Sequence, residues 1–261
     1  MAGMRVAWSC LLALLPLAGC ALKPAAESAP PVAETGSGSP RADGCPPHHL
    51  IYLHGRIVQE SGRHAVSPEF GRYRFDDIVE ALGRRGAVVH AEVRAPGTEL
   101  QAAADAAVAE VRKLKASGVA SRNIGVVGAS QGAIIALLAA DRLADPQLRV
   151  VAMGACNDWV RDSLAPRPVG RVLDIHERSD TIAGGCAEVF AASPGVTASR
   201  SLELDTGLSH GFLYAPLPEW VEPALDWTAP ASCGTAGRYQ WSRESLSAGY
   251  GSTRLNPNLP E

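Results

Sequence analysis

Ser130 lies within Gly128, Ala129, Ser130, Gln131 and Gly132, where a run of strand-forming residues passes directly into a run of helix-forming residues. A serine on so sharp a turn is held in a strained backbone conformation with its hydroxyl exposed, and the flanking glycines remove Cβ atoms that would collide. Chance alone supplies about 0.2 such patterns in a chain of this length, so the neighbouring elements must decide. The pattern makes Ser130 a candidate nucleophile.

Asp180 and His210 supply the partners that a nucleophilic serine needs. Histidine can accept the serine proton near pH 7 and return it to a leaving group, and a carboxylate orients the imidazole and stabilises its cation. Asp180 stands just beyond a predicted strand, and His210 follows a later strand after a loop. Asp174 and Glu177 are competing acids, which we interpret as structural or surface carboxylates because they lie within that strand or close to its end.

The elements that must position these side chains alternate between strand and helix. The pattern predicts six strands, at residues 49–53, 87–93, 124–127, 148–153, 170–175 and 199–204. It predicts helices at residues 75–82, 99–115, 131–143 and 220–227. Strands that alternate with helices indicate an α/β fold with a mainly parallel sheet of about six strands, covered by helices on both faces.

From His48 to Trp227 the chain resembles the α/β-hydrolase superfamily, which includes esterases, lipases and dienelactone hydrolases. The elbow around Ser130 is similar to the family's G-x-S-x-G, and the order Ser130, Asp180, His210 has the family's sense. The stretch from His176 to Asp180 is similar to the family's H-G-x-x-D, although Glu177 replaces the usual glycine. The resemblance implies a Ser-His-Asp triad and an acyl-enzyme.

The same resemblance implies where the oxyanion would be stabilised. The family uses the backbone N–H of the residue after the nucleophile and one N–H from the loop after the first of these strands. Those groups would be the N–H of Gln131 and of Arg56, with Ile57 as a close competitor for the second. No cofactor and no metal are expected.

The segment from Arg56 to Arg74 is expected to be a loop that roofs the site and helps to choose the substrate. It carries arginines interleaved with aromatic and acidic residues, so an anionic substrate and a solvated loop paired with Asp76 and Asp77 are both open interpretations. Glu92 and Arg94 are expected to fix this loop by an ion pair. Only residues 156–168 intervene before the acid strand, which predicts no large lid.

The N-terminal residues 1–19 form a predicted signal peptide, with Arg5 before an apolar stretch that is too short to span a membrane. Its end, at Leu17, Ala18, Gly19 and Cys20, resembles a bacterial lipoprotein signal. That resemblance implies a lipid anchor on Cys20 and a place in the cell envelope, with Ala21 favouring the outer membrane; a conventional secretory peptide is the alternative.

Residues 20–47 are predicted to be a flexible linker and residues 228–261 a mostly irregular tail, which leaves one domain at 48–227. The chain has 24 basic and 27 acidic side chains. Loss of Arg5 with the signal takes the net charge of −3 to about −4. With no basic stripe, nucleic-acid binding is disfavoured.

Four cysteines remain once Cys10 leaves with the signal and Cys20 takes the lipid: Cys45, Cys156, Cys186 and Cys233. An even number in an exported chain predicts disulfides. Of the three pairings we favour Cys156 with Cys186, since both follow strand ends on the same edge of the sheet. Cys45 and Cys233 could then be joined at the ends of the domain.

The predicted function is hydrolysis of a small or medium acyl ester or thioester, because the core lacks a lid that would enclose a long chain. Dienelactone-hydrolase-like or peptidase chemistry is an alternative on the same scaffold. A member of another class, a catalytically silent lipoprotein that kept the hydrolase fold as a binding module, is the third hypothesis.

Overall fold

The computed structural model describes residues 47–230. Its strands are β1 (His48–Leu53), β2 (Val66–Ser67), β3 (Gly71–Arg72), β4 (Ala87–His90), β5 (Ile124–Ala129), β6 (Arg149–Met153), β7 (Gly170–Glu177) and β8 (Val196–Leu204). Its α-helices are α1 (Arg56–Ser61), α2 (Phe75–Gly83), α3 (Leu100–Ala116), α4 (Gln131–Leu143), α5 (Ala187–Ala191) and α6 (Pro218–Thr228). Two short 3-10 helices, Ser121–Asn123 and Ser209–Tyr214, and a π-helix, Trp159–Leu164, complete the described elements.

Six strands form one parallel sheet in the order β4-β1-β5-β6-β7-β8, and β2 pairs with β3 as a separate antiparallel hairpin. The predicted sheet is therefore confirmed. Because all six strands run the same way, the segments that follow β5, β7 and β8 leave from one edge. That edge holds the three candidate residues, which lie far apart in the chain.

The core has two layers because successive strand residues face opposite sides of the sheet. On β1, Leu50 and Tyr52 face a layer that includes residues of α2 and α6. Ile51 faces the opposite layer, which includes residues of α3 and α4. Helix α4 is buried along most of its length, in agreement with the prediction that it is sandwiched against the sheet.

The segment from Arg56 to Arg74 is not the loop that the sequence predicts. It contains α1 and the β2-β3 hairpin, which the local pattern does not indicate because both are short. Between β6 and β7 the chain holds the π-helix Trp159–Leu164 and no lid-sized insertion. Strand β4 ends at His90, where its pairing with β1 ends, and β8 begins earlier than predicted, at Val196.

Several predictions lie outside the described residues: the signal peptide, the linker through residue 46, Cys20, Cys45, Cys233 and the tail beyond residue 230. Within residues 47–230, no helix is both long enough and apolar enough to cross a membrane.

Candidate active site

Ser130 occupies the turn between β5 and α4 with a backbone φ of 53°, a value that non-glycine residues rarely adopt. The two glycines of the elbow are required by close packing. A Cβ on Gly132 would lie 1.9 Å from the carbonyl oxygen of Leu53, and one on Gly128 would lie 2.4 Å from that of Gly132. The backbone N–H of Ser130 donates to the carbonyl of Met153 at 2.8 Å, which ties the strained turn to β6.

Ser130, His210 and Asp180 form one hydrogen-bonded chain. The Oγ of Ser130 lies 2.9 Å from Nε2 of His210, and Nδ1 of His210 lies 2.6 Å from Oδ2 of Asp180. The side chains of His210 and Asp180 are 8% and 0% exposed, so little water competes for these bonds. The structure thus brings together the three residues that the sequence nominates, in the arrangement that general-base activation of a serine requires.

Asp180 is held as a carboxylate by donors on two sides. Its Oδ1 accepts the backbone N–H groups of Ile182 and Ala183, at 2.8 and 3.3 Å, while its Oδ2 faces His210. Burial raises the pKa of the carboxyl, but the hydrogen bonds from His210 and the backbone outweigh it, so the pKa of Asp180 lies below its ordinary value. The group is therefore charged where it can stabilise an imidazolium.

Asp174 and Glu177 do not reach His210. Asp174 is fully buried, and its Oδ2 accepts hydrogen bonds from His176, from the N–H of Cys186 and from Ser201. Burial raises the pKa of Glu177, but hydrogen bonds from the loops on either side outweigh it and lower the pKa. The interpretation of both acids as structural is consistent with these contacts.

Both predicted oxyanion donors are first residues of helices. Gln131 begins α4 and Arg56 begins α1, and the first N–H groups of a helix have no partner within it. The Gly55–Arg56 turn is close to the candidate nucleophile, since a Cβ on Gly55 would lie 3.5 Å from Cβ of Ser130. Ile57 also lies in the first turn of α1, so it stays a competitor to Arg56 for the second donor.

The β2-β3 hairpin packs on the candidate base through Phe70. The ring centroid of Phe70 lies 6.3 Å from that of His210 and 5.4 Å from that of Tyr214. This contact places an apolar wall against the imidazole. Segment 56–74 therefore lies over one side of the candidate site.

Two arginines of this segment are neutralised at the surface. Arg63 pairs with Asp76 at 2.5 Å, and Arg74 pairs with Asp77 at 2.6 Å. These pairs favour the interpretation of a solvated segment whose arginines pair with surface acids. They argue against a cationic site for an anionic substrate. Arg56 and Arg72 are exposed, and neither forms an ion pair within residues 47–230.

Arg94 fixes the roof, but not through an ion pair with Glu92, so that expectation is wrong. Glu92 is exposed, whereas Arg94 donates to the carbonyl of His54 at 2.6 Å and to Oε1 of Gln59 at 3.0 Å. The sequence places Arg94 at the rim, just after a strand. The partners could not be read from it because they come from distant elements.

A disulfide joins Cys156, which follows β6, to Cys186 at the start of α5, as predicted. The N–H of Gly184 also donates to the carbonyl of Cys156 at 2.7 Å. The C-terminal part of the segment from Asp180 to Cys186 is thus tied to the residues that follow β6. The disulfide and this hydrogen bond hold the loop that carries the acid.

A cavity of about 660 Å³ lies beside this loop and is lined by Trp159, Arg161, His176 and Asp180, among others. Neither Ser130 nor His210 lines it, so it is not the space above the candidate nucleophile. Among the described residues, no group of three His, Cys, Asp or Glu side chains is arranged to hold a metal ion.

No protein-family model matches this chain, and no curated protein matches it in sequence. Solved structures do resemble it. A monoacylglycerol lipase from Paleococcus ferrophilus is 15% identical over 69% of this chain and 93% of that chain, with a TM-score of 0.50. A hyperthermophilic esterase from Pyrobaculum calidifontis is 18% identical over 69% of this chain and 75% of its own, with a TM-score of 0.48.

The strand order, the elbow after β5 and the likeness to the lipase structure establish that this chain has the α/β-hydrolase fold. At this level of identity the likeness establishes the fold alone. What the site does must be argued from its own geometry.

Proposed function

We propose that this protein is a serine hydrolase that cleaves small or medium acyl esters or thioesters through Ser130, His210 and Asp180. The observation that carries the proposal is the continuous chain of hydrogen bonds from Ser130 Oγ through the imidazole to Asp180. A partly buried serine–histidine contact at 2.9 Å, with the second ring nitrogen held by a carboxylate, is the geometry of an activated nucleophile.

The proposed reaction has two stages. Ser130 Oγ attacks the carbonyl carbon while its proton passes to Nε2 of His210, and Asp180 stabilises the imidazolium. The N–H groups of Gln131 and Arg56 stabilise the oxyanion, which collapses to an acyl-enzyme as His210 protonates the leaving alcohol or thiol. Water, deprotonated by His210, then releases the acid and restores Ser130.

The size of the substrate is inferred from the open edge of the sheet. The chain between β6 and β7 supplies only the π-helix Trp159–Leu164, so the described residues contain no lid that would enclose a long acyl chain. Phe70 against His210 offers one apolar wall for a short group. These features favour a small or medium acyl substrate, and no nucleic acid is expected as a partner.

We further propose that the enzyme works in the bacterial cell envelope, tethered to a membrane through lipid on Cys20. The Cys156–Cys186 disulfide supports this location, since such bonds persist mainly in oxidising compartments. Labelled fatty acid should be incorporated into the wild-type chain and not into Cys20→Ser. When cells are fractionated, the wild type should be found with the membranes and Cys20→Ser in the soluble fraction. If the two proteins fractionate alike, the tether is refuted.

The function is tested with a fluorophosphonate probe and p-nitrophenyl acetate. Wild-type protein should be labelled at Ser130 and should hydrolyse the ester, and Ser130→Ala should lose both. Ser209→Ala, a matched control beside the imidazole, should keep labelling. A wild-type protein that is inert in both assays would favour the silent binding module.

A panel of esters, thioesters, lactones and amides then ranks the reaction classes. We expect the fastest turnover with short esters or thioesters. Faster turnover of an unsaturated lactone or a peptide amide would instead establish the dienelactone-hydrolase-like or peptidase alternative.

A further inference from the structure

Beneath the two oxyanion donors lies a polar network centred on Arg94, which follows β4. Its Nη2 donates to the carbonyl of His54 at 2.6 Å, and the same nitrogen lies 3.4 Å from Oε1 of Gln131. Its Nε donates to Oε1 of Gln59 at 3.0 Å. One guanidinium therefore contacts both segments that would carry the oxyanion hole, the turn after β1 and the start of α4.

His54 locks the first of these segments. Its Nε2 accepts the backbone N–H of Arg94 at 3.0 Å, and its Nδ1 donates to the carbonyl of Gly55 at 2.8 Å. A backbone N–H can only donate and a carbonyl can only accept, so the ring is neutral with its proton on Nδ1. Burial and the nearby Arg94 lower the pKa of His54 to about 4, in agreement with a neutral ring.

These bonds also orient the next N–H. In a trans peptide the C=O and N–H point in opposite directions. Because the Gly55 carbonyl is turned to the His54 ring, the N–H of Arg56 is turned away from that ring. Gly55 itself packs beside Ser130, so this bond sets how the Arg56 N–H is presented next to the nucleophile.

The charge of Arg94 has no opposite charge beside it. Its hydrogen-bond partners are a carbonyl, two amide side chains and no carboxylate, and within residues 47–230 it forms no ion pair. Its Nη1 is buried without a hydrogen-bond partner in the described structure. In a partly buried site the electrostatic interaction of such a charge with its surroundings is stronger than in water. The charge therefore stabilises negative charge that develops nearby.

We propose that Arg94 is a positioning residue for the oxyanion hole. It holds the His54–Arg56 turn and Gln131 at a fixed spacing, and it places an uncompensated positive charge behind them. This inference rests on the proposed function, because it assigns a source for the transition-state stabilisation that the Ser130 reaction needs.

Arg94→Gln is the direct test, with Arg63→Gln as the matched control, since Arg63 is a roof arginine already neutralised by Asp76. Arg94→Gln should lower kcat for p-nitrophenyl acetate on the order of tenfold to a hundredfold, with KM nearly unchanged, since the loss falls on the transition state. The rate of labelling of Ser130 by a fluorophosphonate should fall in parallel. Arg63→Gln should match the wild type.

Gln59→Glu separates this role from a merely structural one. The new carboxylate keeps an acceptor for Nε of Arg94 and compensates its charge, while Gln59→Ala supplies neither. Both variants lose the hydrogen bonds that Nε2 of Gln59 donates to the Thr98 carbonyl and to Oε1 of Glu60, so these losses are common to the two. We expect the kcat of Gln59→Glu to be about tenfold below that of Gln59→Ala. The thermal stability of Gln59→Glu should be equal to or greater than that of Gln59→Ala.

Free guanidinium ion provides a further readout if Arg94→Gln is poorly folded. Arg94→Ala leaves space for this ion, which should restore part of kcat at concentrations that leave the wild type unaffected. Equal kcat for Gln59→Glu and Gln59→Ala, or an Arg94→Gln enzyme with wild-type kcat, overturns the inference and leaves the proposed function standing. A wild-type protein that no fluorophosphonate labels removes both.

Discussion

Glu177 joins the loop that carries Asp180 to the loop that carries His210. Its Oε2 accepts the N–H and the hydroxyl of Thr206 at 2.9 and 2.8 Å, and its Oε1 accepts the hydroxyl of Ser179 at 3.0 Å. The hydroxyl of Ser179 in turn accepts the N–H of Ser209 at 3.1 Å. A carboxylate that is 1% exposed thus fixes the spacing between Asp180 and His210 without contacting either.

Glu177→Gln should therefore reduce stability and activity together. An amide cannot accept all of these hydrogen bonds, and the loss should lower the free energy of unfolding by about 2 kcal/mol. We expect kcat to fall about tenfold as the two loops lose their fixed spacing. Urea titration and ester hydrolysis measure the two effects, with the exposed Glu203→Gln as a control that changes neither.

The effect of Glu177→Gln should depend on pH. Because the folded-state pKa of Glu177 is lowered, its carboxylate stabilises the fold above the pKa of an unfolded glutamate, and this contribution is lost as pH falls through the folded value. The difference between wild type and variant should shrink on acidification. A difference that grows on acidification would contradict the assignment.

Asp180→Asn should lower kcat about 10³-fold or more, since an amide no longer stabilises the imidazolium or selects its tautomer. Asp174→Asn is the matched control from the same strand region, because the side chain of Asp174, like that of Asp180, is 0% exposed but bonds His176 and not His210. It should reduce stability while leaving kcat within about threefold. If Asp174→Asn proves the slower enzyme, Asp180 is not the acid.

His54 should make stability rise with pH between about 4 and 6.5. Its pKa is lowered to about 4 in the folded state by burial and by Arg94, so the unfolded chain binds more protons in this window. The wild type should gain about 2.6 kcal/mol relative to His54→Asn from pH 4 to pH 6.5, with only about 0.4 kcal/mol more above it. Urea midpoints measured across this range test the prediction; parallel curves for the two proteins would refute it.

Removal of the disulfide should loosen the acid loop. The bond closes a sequence separation of 30 residues, so Cys156→Ala with Cys186→Ala should lower the free energy of unfolding by about 3 kcal/mol. Activity should fall as well, because Gly184 and Cys186 anchor the segment that begins at Asp180. Mild reduction and reoxidation of the wild type should reproduce and reverse the change; a double variant as stable and active as the wild type would be the contrary result.

Much of the site could be predicted because its signals are local. The glycines around Ser130 are required by backbone contacts of 1.9 and 2.4 Å, so that turn has a recognisable sequence. The long helices and buried strands have clear periodicity, and parallel strands bring their following loops to one edge. Cys156 and Cys186 could be paired on the same argument.

The elements that escaped prediction are short and depend on distant partners. The β2-β3 hairpin has two residues in each strand and is held through Phe70 against Tyr214, far along the chain. Helix α1 has six residues, too few to be indicated by periodicity. Such elements form because the rest of the fold supports them.

The sequence by itself determined the fold class, the candidate nucleophile and the order of its candidate partners, because those follow from local patterns and from the direction of the strands. The tertiary structure decided which carboxylate faces His210, what Arg94 holds, and that Glu177 links two loops. These depend on side chains that meet across the sheet edge from separate elements. Their hydrogen bonds are set by packing, which no spacing along the chain records.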